Sequence, residues 1–180
     1  MNLNEIEQLF LNRQSCREFS KTPVPEELVK EVCRLALLAP SACNSQPWKL
    51  IAVTGEKKEQ VADALQDWGM NKFVSDAPVL VAVVEGKGNL TAAVGSRFKD
   101  NDFVHNDIGI LTAHLVLAAQ AAGLGSCILG WRNEEKLRKA LGLSSKAKVP
   151  EVVAMGYPAE NYPIRPKKRK DLNDVFEFIK

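Results

Sequence analysis

Ile108-Gly109-Ile110-Leu111-Thr112-Ala113-His114-Leu115-Val116-Leu117-Ala118-Ala119-Gln120-Ala121-Ala122 is the stretch on which the fold turns. Only Gly109, Thr112, His114 and Gln120 interrupt its apolar run, so no polar stripe marks a solvent side. A surface helix carries such a stripe; a helix apolar nearly all round is buried nearly all round. In a chain of 180 residues, one domain's worth, that helix either runs through the centre or is covered by a second subunit. The second alternative is the expectation here, a homodimer. Gly123-Leu124-Gly125 ends the helix, and 126–130 reads as a short strand.

Upstream, the run 78–84 is continuously apolar, the pattern of a strand buried on both faces. Strands are also expected at 50–53 and 152–157. Helical spacing marks 3–12, 56–68 and 134–141, and a helix from Pro25 that Pro40 stops. The polar, glycine-bearing stretch 86–102 reads as a loop with at most a short helical turn. Helices and strands interleave, which predicts a sheet with helices on both sides. Neither repeats nor a linker divide the chain, so 1–180 is read as a single domain. Its tail, from Pro158 onward, is basic at Arg165, Lys167, Lys168, Arg169 and Lys170, then apolar at Val175, Phe176, Phe178 and Ile179. Such a tail is expected to pack against something.

Composition narrows the function. Hydrophobic residues make up 46% and charged residues 26%, the balance of an ordinary globular protein. A net charge of +2 gives no field that would recruit nucleic acid or an anionic membrane, so neither is an expected partner. The chain has no apolar run of the roughly 20 residues that span a bilayer. Its first residues lack the basic and apolar regions of a secretory signal, and the expected location is cytoplasmic. Cys16, Cys33, Cys43 and Cys127 form no CxxC pair and read as reduced thiols. His105 and His114 fall on opposite sides of a helix, about 180° apart, and do not chelate one metal from one face. No metal site is expected.

Three stretches carry candidate chemistry. Arg13, Ser15 and Arg17 alternate; on an extended chain they point the same way and offer two guanidinium forks and a hydroxyl to an anion. The same residues also suit a plain helix C-terminus. Pro40-Ser41-Ala42-Cys43-Asn44-Ser45-Gln46-Pro47-Trp48 is dense in small and amide side chains, fit either to approach a flat heterocycle or to make an ordinary turn. Gly123-Leu124-Gly125-Ser126-Cys127-Ile128 imitates a dinucleotide fingerprint, but it follows a helix, enters a strand and lacks the third glycine.

In order along the chain, Arg13/Ser15/Arg17, Pro40/Ser41/Asn44/Gln46/Pro47/Trp48, Gly123/Gly125, Ile128/Gly130, Arg169 and Leu172/Val175 resemble the motifs of the nitroreductase family of FMN-dependent oxidoreductases. The resemblance spans nearly the whole chain. It implies an α+β fold, a three-layer α/β/α arrangement around a mostly antiparallel mixed sheet. It also implies an intertwined homodimer with FMN at the subunit interface and the tail, about 158–180, packed on the partner. In that picture Arg13, Ser15, Lys167 and Arg169 hold the phosphate, with Gln14 beside them where relatives often carry Arg or His. Arg17 approaches the N1–O2 edge of the flavin. Pro40, Ser41, Ala42 and Asn44 of the other subunit line the ring and ribityl chain, and Asn71 meets the pyrimidine edge. Cys127, Ile128, Leu129 and Gly130 lie along one ring face, with a backbone N–H near Leu129 aimed at N5.

The implied reaction passes a hydride from NADH or NADPH through the flavin to an electron-poor acceptor such as a nitroaromatic or quinone. It needs no catalytic side chain. Flavin reduction, NAD(P)H oxidation and FMN binding without turnover are the alternatives within the same resemblance. Some residues depart from the pattern. Leu129 stands where well-known members carry Glu, Cys43 where small or aliphatic residues are usual, and Asp171 where Pro is frequent. The stretch 87–103 is short for a substrate-covering helix, which implies an open site.

Overall fold

The computed structural model describes residues 2–87 and 102–180, so the expectations for the 86–102 loop and for an open site fall almost wholly outside the described residues. The sheet has β1 (Trp48–Val53), β2 (Val79–Glu85), β3 (Gly125–Leu129) and β4 (Glu151–Gly156), in the order β1-β2-β4-β3. All neighbouring strands are antiparallel. An isolated parallel bridge joins Ser15 to Ser126 on the outer edge of β3, outside the four strands. The helices are α1 (Leu3–Asn12), α2 (Glu26–Ala36), α3 (Glu56–Leu65), α4 (Phe103–Ala121), α5 (Glu134–Ala140) and α6 (Leu172–Val175).

Alternation along the central strands builds two cores. Leu80, Ala82 and Val84 of β2 and Val152 and Ala154 of β4 pack with Leu65 of α3 and Leu137 of α5. Val79, Val81 and Val83, with Val153 and Met155, pack on the other face against α2 and α4. Continuous apolar strands usually signal parallel sheets; here helices on both faces impose the same composition on an antiparallel one. Each fully buried Val or Leu contributes about 1.5–3 kcal/mol, so these two strands fix the three-layer arrangement.

Helix α4 begins before Ile108, where the apolar run starts. Asp102 caps it, its Oδ1 accepting the His105 N–H at 3.1 Å, so the polar turn through His105, Asn106 and Asp107 is helical. Ile108, Leu111, Leu115 and Ala119 are buried, while Gly109, Ile110, Ala113 and His114 are exposed. Within one chain, therefore, α4 is central on one side and bare on the other. Helix α3 stops at Leu65, short of the 56–68 expected, because Trp68 takes a left-handed turn at φ 59. At the far end, Leu172, Phe176, Phe178 and Ile179 are exposed, Ile179 by 83%. Among the described residues no helix is long and apolar enough to cross a membrane.

Gly156 ends β4 where a Cβ would lie 2.4 Å from Cδ of Pro78 and 3.0 Å from Cδ1 of Phe19. Gly156→Ala should destabilise the fold by about 1–3 kcal/mol, the cost of overpacking a rigid contact. A lower thermal midpoint, with the far-ultraviolet spectrum unchanged, is the expected result.

Candidate functional site

Helix α1 ends at Arg13, whose backbone is already extended (φ −64, ψ 120). From there the chain runs along the outer edge of β3, the Cys16 N–H donating to the Ser126 carbonyl at 2.8 Å. The expected alternation follows: Gln14 and Cys16 are buried, Arg13 and Ser15 half-buried, and Arg17 exposed. All three anion-seeking side chains thus lie on the outward side.

The tail folds back over this segment. Nε2 of Gln14 donates to the Pro163 carbonyl at 2.8 Å, and Oε1 accepts from the backbone N–H of Arg165 at 3.1 Å and from its Nε at 3.2 Å. Nζ of Lys167 donates to the Arg13 carbonyl at 2.7 Å. The Arg17 N–H donates to the hydroxyl of Tyr162 at 3.1 Å. Gln14 therefore spends its side chain on holding the tail. Arg165, missed by the sequence reading as a site residue, joins Arg13, Lys167 and Arg169 in one basic cluster. Its signal was there: 165, 167 and 169 alternate as 13, 15 and 17 do.

Among the described residues no carboxylate lies within ion-pair distance of these cations. Burial first, then the like charges of Arg13, Arg169 and Arg165, hold the Lys167 ammonium below the ordinary lysine value. Positive charge is thus gathered over a hollow of about 560 Å³ lined by Arg13, Ser15, Arg165, Lys167 and Arg169, an arrangement that suits an anion. A second cleft of about 520 Å³ shares Arg13, Lys167 and Arg169 and continues past Thr112, Ile128 and Glu151.

Ile128 forms a wall of that cleft, 42% exposed, while Cys127 and Leu129 point into the core. Ladder alternation turns the backbone of Ser126 outward to Cys16, and with it that of Ile128. The same alternation turns the backbone of Leu129 toward β4. Burial pushes the Cys127 thiol up, against the opposing effects of Arg17 and the Ser15 hydroxyl. Burial likewise raises Cys16.

Asn71 sits beside the far end of this edge, left-handed at φ 51. Its Nδ2 donates to the carbonyls of Leu65 at 3.1 Å and Trp131 at 3.5 Å. The structure thus brings Asn71 and Gly130 together through Trp131. The loop carrying Pro40, Ser41, Ala42 and Asn44 lies elsewhere, against the first turns of α4, and lines neither basic hollow.

The model of the nitroreductase family matches residues 11–157, and the chain belongs to that family. It is 32% identical to a "NADH dehydrogenase" of Thermus thermophilus, over 85% of this chain and 87% of that one. It is 27% identical to an iodotyrosine deiodinase of Haliscomenobacter hydrossis, over 93% and 85% of the two chains. The fold is that of the FMN-dependent nitroreductase NfnB from Mycobacterium smegmatis, solved in complex with NADPH. That match has a TM-score of 0.80 at 20% identity and covers 99% of this chain and 100% of that one.

Because Lys167 is held below the ordinary lysine value and binds an anion best when charged, inorganic phosphate should bind more weakly as pH rises toward the lysine range. The decline should begin earlier than for an unperturbed lysine. Calorimetry across that range should show it, and Lys167→Arg should flatten the profile because arginine keeps its proton.

Proposed function

We propose that this chain is an FMN-dependent oxidoreductase that passes a hydride from NADH or NADPH to an electron-poor acceptor, such as a nitroaromatic or a quinone. It works as a homodimer with a site at each subunit interface. The observation that carries the reading is the uncompensated basic cluster set beside the open edge of β3. FMN has the matching parts: a phosphate for the cluster and a flat ring with a polar edge for the strand.

Bound there, FMN supplies reversible two-electron chemistry at N5. Arg13, Ser15, Lys167 and Arg169 hold its phosphate, and Gln14 and Arg165 keep those residues in place. The exposed Arg17 brings positive charge to the pyrimidine edge and favours negative charge there. Oδ1 of Asn71 accepts from the same edge, since its Nδ2 is already committed. Ile128 packs on one ring face, and an N–H of the open strand edge reaches the N5 side. The raised, buried thiols of Cys16 and Cys127 are poor nucleophiles, consistent with chemistry that needs none from the protein.

The homodimer accounts for what one chain leaves incomplete. Gly109, Ile110 and Ala113 of α4 are bare, Phe176, Phe178 and Ile179 lie exposed, and the 40–46 loop is remote from the basic cluster. A second copy covers the first two and returns its own loop to this chain's cofactor. Leu129 adds no charge to the acceptor side, which suits neutral, planar acceptors.

The first test is the visible spectrum of the purified protein after incubation with FMN and desalting. Near-stoichiometric flavin bands are expected. Arg13→Ala should weaken FMN binding about 10- to 100-fold, the range of one or two charge-assisted contacts. Under anaerobic conditions NADH or NADPH should bleach the bands, and a nitroaromatic or quinone should restore them rapidly. A colourless protein refutes the reading. Flavin retained without turnover leaves a binding protein.

A further inference from the structure

Asp107 lies in the second turn of α4 and is 3% exposed. Its Oδ1 accepts the Ala42 N–H at 3.0 Å, across from the loop that follows α2. Its Oδ2 is buried with no partner among the described residues, and so is the hydroxyl of Ser45, three residues beyond Ala42 in the same loop. An acceptor and a donor are therefore both unspent in the two segments that meet here. The loop itself is costly. Cys43, Asn44 and Gln46 all take left-handed backbone angles, φ 52, 49 and 46. Such conformations persist only where surrounding contacts over-determine them. Within the loop the contacts are local: the Gln46 N–H to Oγ of Ser41 at 2.9 Å, and the Asn44 N–H to the Ser41 carbonyl at 3.0 Å. Asp107 ties the turn to the rigid helix through the Ala42 N–H.

We propose that Asp107 is a positioning residue: it clamps the 41–46 loop in its left-handed turn, so that Ser41, Ala42 and Asn44 meet a cofactor held mainly by the second copy of the chain. This rests on the FMN reading above. Asp107 does not itself touch the cofactor; it acts through the backbone of Ala42. Its loss should therefore weaken contacts to the ring and ribityl chain and spare those to the phosphate, which other residues make.

The test uses the full-length chain and three substitutions. Asp107→Ala removes the acceptor. Asp107→Leu removes it while refilling the volume, and covers the case in which the alanine variant does not fold. Asp107→Asn keeps one carbonyl oxygen for the Ala42 N–H. FMN affinity is read by quenching of flavin fluorescence, and the affinity for inorganic phosphate by calorimetry.

The acceptor-less variants should bind FMN about tenfold more weakly, the size of one charge-assisted hydrogen bond, with phosphate affinity unchanged. Asp107→Asn should restore FMN binding to within about threefold of wild type, because its carbonyl oxygen still takes the clamping bond. The proposal fails if the acceptor-less variants bind FMN as wild type does, or if Asp107→Asn is as weak as they are. It fails also if phosphate and FMN affinities fall together, which would mark a general loss of structure. Wild-type protein that does not bind FMN overturns the cofactor reading, and this proposal with it. Wild-type binding with an indifferent Asp107 removes this proposal alone.

Discussion

The side-chain amide of Gln14 joins the two ends of the chain. It donates to Pro163 and accepts twice from Arg165, across about 150 positions of sequence. Buried, it has no water to fall back on, so losing any one of these bonds strands a polar atom. Most of what distinguishes the site depends on this clasp. It holds the tail against the segment 13–17, and through Tyr162 and Lys167 it fixes the backbone of that segment from a second side. The segment in turn occupies the outer edge of β3, which would otherwise present unpaired backbone groups.

The clasp also creates the charge problem that makes the site useful. Bringing Arg165, Lys167 and Arg169 beside Arg13 gathers like charges with no carboxylate among the described residues in ion-pair distance, and burial followed by that repulsion lowers the proton affinity of Lys167. Repulsion of this kind opposes folding. The chain sustains it because the two apolar cores and the hydrogen bonds of Gln14 outweigh it, and an anion entering the hollow would relieve it. Affinity for that anion and strain in the free protein are thus two aspects of one arrangement.

Much of this was legible in the sequence. The unbroken apolar run of β2 and the all-round apolar character of α4 require a sheet covered on both faces, and alternation of Arg13, Ser15 and Arg17 foretold their shared outward side. What stayed hidden has a common cause: it depends on contacts between distant segments. Gln14 reads as a neighbour of ligands, and only the fold shows its amide turned toward Pro163. The start of α4 was masked by polar residues that a capping Asp102 makes helical. Which backbone N–H of β3 faces outward follows from how Ser126 pairs with the segment at 15–16, a registration no local pattern encodes. Asp107 gave no signal, since a lone aspartate in a helix is ordinarily a surface residue.

The distance bridged by Gln14 bears on the order of events during synthesis. The buried residues of both apolar cores, the whole sheet and the 41–46 loop lie before residue 158, so they can assemble before the segment 162–169 is made. The basic cluster cannot. Arg13 is made before the sheet and its partners after it, and closing so long a loop is favoured by a surface that is already rigid. On that order the layers can stand before Arg165, Lys167 and Arg169 reach Arg13, and the basic cluster closes onto a surface already folded.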